Sequence, residues 1–305
     1  MANGMPGASV EARLARGDRA QPSPLRTFFT RLLRSKVGTM GFLMFMSIVV
    51  VALLAPLIAP HDPTQIALGS RLLAPAFAGG TTEHLLGTDQ LGRDVFSQLL
   101  YGARISLSIS TISVFGAFVI GSTVGILSGY YLGIIDTVFM RTVDSLQSLP
   151  NLVILMALIA VLGPSFSTII IVFTITGWTG YARIIRGEVL SVKSREFIEA
   201  ARAAGMSQTQ LLVKHLFPNV ISSALALAAL ALGTIIIAEA ALSYLGLGAQ
   251  EVTWGRMLAA GREYVATAWW LAIFPGLAIV YTVLGIVFFG DWVRDYADPK
   301  IRGRF

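Results

Sequence analysis

Apolar residues run in long blocks along the chain, and polar residues gather into a few intervals between them. Val37 to Ala59 carries no charge and is long enough to cross about 30 Å of hydrocarbon as a helix. Ile105 to Ile135 is uncharged over 31 residues, enough for a span with an extension. Within it Gly121, Gly125, Gly129 and Gly133 recur at steps of four, a small-residue face against which another helix can pack closely. Ser145 to Ala182 holds 38 uncharged residues, too many for one ordinary span, with Gly163-Pro164-Ser165 near the middle. The pattern predicts a tight hairpin of two spans there, the first reaching back to about Ile134. Val220 to Ala238 gives a fifth span, and Phe274 to Gly290, starting near Ala268, a sixth with a local kink at Pro275-Gly276. The expected fold is an all-α integral membrane protein with six transmembrane helices within residues 37–290.

The polar intervals complete this plan. Residues 1–23 read as a mobile tail. After Ser23-Pro24, apolar Leu25, Phe28, Phe29, Leu32 and Leu33 share helical spacing with Arg26, Arg31 and Arg34. Residues 24–36 are thus expected to be an amphipathic helix lying in the membrane interface, or else a basic cluster that only fixes topology. Residues 60–103 and 246–267 read as outer loops, the second with Trp254, Tyr264, Trp269 and Trp270 placed like interfacial aromatics. Residues 187–217 read as a loop on the opposite side, and 291–305 as a polar tail. With both termini in the cytosol, inside segments hold 18 of the 23 basic residues and outside segments five. That asymmetry follows the positive-inside rule and makes the 187–217 loop cytosolic.

Composition then narrows the chemistry. Hydrophobic residues make up 55% and charged residues 13%, with a strongly positive mean hydropathy, so a soluble domain is excluded. There is no cysteine, hence no disulfide or thiolate chemistry. His61, His84 and His215 are far apart in the chain and suggest no metal cluster. The net charge of +6 reflects topology, and nucleic acid is not an expected partner. No catalytic, cofactor or metal residues are assigned.

The most informative stretch is Arg183 to Asn219, which carries six basic residues between nearly uncharged segments. On a helix over 194–204, Arg195, Glu199 and Arg202 share one face and Phe197, Ala201 and Ala204 the opposite one. Gly205 is a natural helix stop, and Ser207 with Gln210 makes a capping-box start for a second helix running to Phe217, before Pro218 opens the fifth span. Helix, glycine break and helix make a lever suited to a groove on a partner. Elsewhere, Arg141 and Asp144 are one turn apart and expected to pair. Glu239, near the outer end of the fifth span, is either a translocation-path residue or a structural partner.

These features carry a family resemblance. Glu199-Ala200-Ala201, Gly205 and Leu216-Phe217-Pro218 resemble the EAA signature of permease subunits of binding-protein-dependent ABC importers, with Phe217 where that family usually has Leu. Residues 84–107 (HLLGTDQLGRDVFSQLLYGARISL), 141–150 (RTVDSLQSLP), 178–197 (WTGYARIIRGEVLSVKSREF), the LSYLGLG and WGRML runs of 242–258, and 290–299 (GDWVRDYADP) are similar to its dipeptide, oligopeptide and nickel branch, most of all the C-type permease. Glu251-Val252-Thr253 stands where that branch usually has a proline-rich segment. The resemblance implies a non-catalytic, type I-like permease of the bacterial cytoplasmic membrane. Its loop would dock on an ATPase through Glu199, Ala200, Ala201 and Gly205. It also implies a homologous second permease, two ATPase subunits that bind ATP and Mg, and an extracytoplasmic substrate-binding protein; di- or oligopeptides are the expected cargo, with nickel, glutathione or opines as alternatives. The chain has no Gly-rich loop ending in Gly-Lys-Ser/Thr, so ATP must bind another chain. A secondary transporter would need midplane charges and internal repeats, and an intramembrane enzyme a nucleophile and base within the spans.

Overall fold

The computed structural model describes residues 24–297, which form helices joined by turns and loops, with one isolated β-bridge between Thr88 and Asp94. The tail at 1–23 and residues 298–305 lie outside the described residues.

Helix α1 (Pro24–Arg34) begins on a proline, which suits a first turn whose N–H has no partner. It lies against the far end of the chain: the Phe28 ring meets Trp292 and Tyr296 at 4.9 and 5.3 Å, while Phe29 and Leu33 remain exposed. Ser35 then caps α2 (Lys36–Ile58), its hydroxyl accepting from Gly38 N.

Helix α3 (Val95–Tyr131) is 37 residues long, about 55 Å at 1.5 Å per residue, and so extends well beyond the bilayer core. Residues 95–103, expected to be loop, are its first turns. Asp94 caps it and Trp254 packs on that extension, so no membrane burial is needed there. Nor does the glycine face run on to Gly133. Leu132 and Gly133 both have positive φ, near 58° and 60°, and turn the chain sharply into α4 (Gly133–Gln147).

The expected third span, reaching back to about Ile134, is broken. α4 and α5 (Asn151–Leu162) meet at 88° around Ser148-Leu149-Pro150, where the proline biases Leu149 away from helix. Gly163, at φ 82°, ends α5, and Ser165 caps α6 (Phe166–Lys193), so the Gly163-Pro164-Ser165 turn lies where the sequence placed it.

The register of α3 against α6 resolves how many times the chain crosses. Side chains built at Gly121, Gly125 and Gly129 would meet Tyr181 Cβ at 2.6 Å, Ala182 O at 2.7 Å and Val189 Cβ at 2.9 Å respectively, so residue numbers rise together along both helices. The pair is parallel, and the chain between them must return across the same thickness. The bent α4–α5 pair makes that return, giving six candidate crossings among the described residues with the five helices that are individually long and apolar enough.

Two bridges fasten the bent pair to α6. Arg186 forks onto Asp136 at 2.5 and 2.6 Å, with the Ser128 hydroxyl on the same carboxylate, and Arg183 reaches Asp144 at 2.6 Å. The expected Arg141–Asp144 pair is thus replaced by one between helices: Asp144 faces α6, and Arg183, 39 residues on, reaches it first.

After the polar loop come α9 (Phe217–Tyr244), a short helix α10 (Trp254–Gly261) and α11 (Trp270–Ala297). The last of these continues past Gly290, so residues 291–297 of the expected tail are helical. α11 is antiparallel to α2, Gly41 lying against Phe288 and Gly285 against Met44, and antiparallel to α9 through Gly233 against Ile286. The start of the first span and the end of the last therefore share one side.

Candidate functional site

The polar loop is folded, and its shape follows from local chemistry. At its root, Lys193 Nζ donates to Tyr130 O at 2.6 Å and sits 5.2 Å from that ring, fixing the end of α6 to the end of α3. Helix α7 (Glu196–Ala203) then ends in a Schellman turn: Met206 N donates to Ala201 O, Gly205 N to Arg202 O, and Gly205 takes φ 82°. Ser207 and Gln210 close a reciprocal capping box for α8 (Gln208–Leu211).

From α8 the helix passes without a break through a π turn (Leu212–Leu216) into α9. Pro218 explains the widening, since in a regular helix its ring would collide with the carbonyl four residues back. Phe217 N donates to Leu212 O, and Asn219 Nδ2 takes up His215 O at 2.7 Å. What the sequence separates into a second loop helix and a fifth span is one rod.

Ile198, Leu211 and Leu216 are fully buried with Val189, Val192 and Val220, so the loop rests on the ends of the spans. Of the predicted site residues, Glu199, Ala200 and Gly205 are exposed and Ala201 is half-buried. The predicted faces need correction. Ile198 and Ala201 turn inward, while Phe197 and Ala204 are on the surface. Two inward residues at i and i+3 are enough to seat an eight-residue helix, leaving its remaining apolar groups outward. Phe197, Val213 and Phe217 are 41%, 62% and 46% exposed, so the loop and the start of α9 leave apolar side chains on the surface. Glu199 has no ion-pair partner among the described residues, so the Arg195–Glu199–Arg202 row stays open to an external one.

At the other end of α9, Glu239 is 2% exposed and accepts hydrogen bonds from Ser243 and Thr253, each at 2.8 Å. Thr253 is also the N-cap of α10, accepting from Arg256 N at 3.1 Å. Next to it, Trp254 is buried, donating its indole N–H to Leu99 O and its backbone N–H to Ser106 Oγ. Trp270 is buried likewise, on Thr88 O, and only Trp269 of the three expected tryptophans is exposed. Trp254 and Trp270 are thus packing anchors, because the indole N–H of each finds a protein carbonyl.

A family model described as the binding-protein-dependent transport system inner membrane component matches residues 121–303, and the N-terminal membrane domain of oligopeptide transport permease C matches residues 23–75. The chain belongs to this permease family. It is 36% identical to the dipeptide transport system permease protein of Alkalihalophilus pseudofirmus, over 92% of this chain and 91% of that one. It is 38% identical to the di/tripeptide permease protein of Pseudomonas aeruginosa, over 92% and 94%, and 36% identical to the glutathione permease protein of Pectobacterium atrosepticum, over 93% and 94%. Among solved structures, the inward-facing methionine ABC transporter MetNI aligns at TM-score 0.55 and 23% identity, over 67% of this chain and 97% of that one, a likeness of fold.

As a transport permease of the bacterial inner membrane, the chain is a subunit of a larger machine, and the first family match includes both the polar loop and the Glu239 latch. The permease's loop between α2 and α3 holds what the sequence did not reveal. Asp89 collects the Leu91 and Arg93 backbone N–H groups, the Arg93 guanidinium at 2.7 Å and the Gln98 amide at 3.0 Å, so the Gly-rich run at 84–94 is a folded cap over α3. Two histidines counted as separate are in contact there.

Glu239 yields a direct expectation. Glu239→Ala strands the Ser243 and Thr253 hydroxyls and should cost about 1–3 kcal/mol, whereas Glu239→Gln keeps an acceptor and should cost less than half of that. Thermal unfolding of the detergent-purified permease measures the order; equal midpoints for both variants and the parent would show that the latch contributes nothing.

Proposed function

We propose that the permease forms half of a translocation pathway for di- or oligopeptides, paired with a homologous second permease and driven by two ATPase subunits. The supporting observation is the loop: a capped, partly apolar projection whose Glu199 has no ion-pair partner among the described residues, seated on the ends of α3 and α6 and continuous with α9. Glu199, Ala200 and Gly205 are exposed on it with Ala201 half-buried beside them, and these four are the contacts for the ATPase. The 18 to 5 split of basic residues supports a cytosolic loop and cytosolic termini. ATP and Mg bind the partner subunits, and this chain carries out no catalysis. A binding protein delivers substrate to the outer loops at 60–94 and 246–267. Closure of the ATPases displaces the loop, and through the continuous rod, the spans.

Peptide is favoured as cargo because relatives named for dipeptide and di/tripeptide transport align over more than nine-tenths of both chains. Glutathione, itself a tripeptide, is the second reading. Reconstitution with both ATPases, the second permease and the binding protein in proteoliposomes should give ATP-dependent accumulation of labelled dipeptide. Accumulation of glutathione in its place would transfer the assignment to the second reading, and ATP-independent uptake would overturn the coupling.

A further inference from the structure

His61, His84 and Asp94 come from three separate segments: the exit from α2, the outer loop and the cap of α3. The fold brings one ligand atom of each within 4.8 Å of the others. His84 Nδ1 lies 3.0 Å from Asp94 Oδ1, and His61 Nδ1 lies 3.8 Å from Asp94 Oδ2. The two rings have centroids 4.9 Å apart. His84 and Asp94 are buried, while His61 opens on one edge to a cavity of about 580 Å³ lined also by Asp62, Tyr101 and Glu251.

His61 Nδ1 is the unexplained atom. It is shielded from solvent, has no hydrogen-bond partner, and is directed at a carboxylate. Leaving such a group unpaired costs about 1–3 kcal/mol, so an occupant has something to gain there. A cation held about 2.0–2.2 Å from nitrogen and carboxylate oxygen needs neighbouring ligand atoms roughly 3 to 3.5 Å apart. His84 Nδ1 and Asp94 Oδ1 already stand 3.0 Å apart, and rotation of the His61 ring, whose Nδ1 lies 3.8 Å from the capping oxygen Oδ2 and within 4.8 Å of the other ligand atoms, completes the set.

We propose that His61, His84 and Asp94 form a binding site for a borderline divalent cation of the Zn²⁺ type. Two imidazoles and one carboxylate suit such an ion better than Ca²⁺ or Mg²⁺, which prefer all-oxygen shells. Both rings bind through Nδ1 in the tautomer protonated on Nε2, and Asp94 keeps its helix cap through Oδ2, which accepts from Ser97 N and Oγ at 2.8 and 2.7 Å. The cavity beside His61, lined also by Asp62 and Glu251, leaves room for a further ligand such as water. Occupancy staples the end of the first span to the start of the second, stiffening the outer surface of the permease.

The test uses the full-length chain in detergent, carrying no polyhistidine tag, with Zn²⁺ alone as probe in competition against a chromophoric chelator. The parent should bind about one ion per chain, His61→Asn should weaken that by about tenfold or more, and His61→Asp, which restores a ligand, should recover most of it. His215→Asn, distant in the polar loop, should change nothing. Because the His61 ring nitrogen has no protein partner to lose, unfolding midpoints in chelator should match for parent and His61→Asn, and added Zn²⁺ should raise only the parent's. Binding by His61→Asn equal to the parent's, no stoichiometric binding by the parent, or the same Zn²⁺-induced rise in both proteins would each overturn the site.

Discussion

Gly205→Val should abolish most substrate accumulation while leaving the permease inserted and associated with its second subunit. A side chain at Gly205 meets nothing within 4 Å, so the substitution acts through the backbone alone. At φ 82° the residue occupies the left-handed region, which costs an ordinary residue about 1–2 kcal/mol and a β-branched one more. The Schellman turn depends on that conformation, so valine redirects α7 relative to the rod that begins at Ser207. Gly205→Asn, which tolerates the left-handed region, should retain most transport. Uptake by reconstituted transporter, with blue-native electrophoresis for assembly, separates the outcomes. Valine transporting at the parental rate would remove the glycine turn from the coupling role.

The largest structural effect is expected at the parallel α3–α6 seam. Gly121→Leu has no room: even its Cβ would collide with the Trp178 carbonyl and lie 2.6 Å from Tyr181 Cβ. Overpacking against backbone costs about 3 kcal/mol or more, over a hundredfold in the balance between docked and undocked helices. Gly180→Ala on α6 is the matched control, since its Cβ meets nothing within 4 Å and alanine is the better helix former. The yield of monodisperse permease after detergent extraction should fall sharply for Gly121→Leu and hold for Gly180→Ala. Equal yields would mean that the seam is looser than its register implies.

The glycines of that seam were visible in the sequence as a four-residue step, but not which helix they meet. Any small-residue face is compatible with several partners, and only the register of Gly121, Gly125 and Gly129 against α6 selects one. Long apolar runs placed the spans, and side-chain capping placed the Gly205 turn and the Ser207 box, because both signals are local. The 88° break was marked by Pro150, yet its uncharged setting made one continuous helix equally consistent with the composition. Pairings across the fold were illegible for the same reason in each case. Asp144 had Arg141 as a neighbour in sequence and took Arg183, and His61 sits 23 positions from His84 but lies against it, ring centroids 4.9 Å apart. Glu239 was flagged by its charge alone; the hydroxyls that hold it come from residues four and fourteen positions later.

The parallel seam also constrains the order of assembly. A parallel pair cannot zip up as a hairpin while it is being made, so the glycine face of α3 stays uncovered until the chain has crossed back and returned as far as Lys193. During that interval three spans stand in the bilayer with a close-packing surface unclaimed, open to another nascent permease. The bridges from Asp136 to Arg186 and from Asp144 to Arg183 lie at the end of α6 that is synthesised last. They fasten the returning bent pair to α6 only once the second half of the seam is in place.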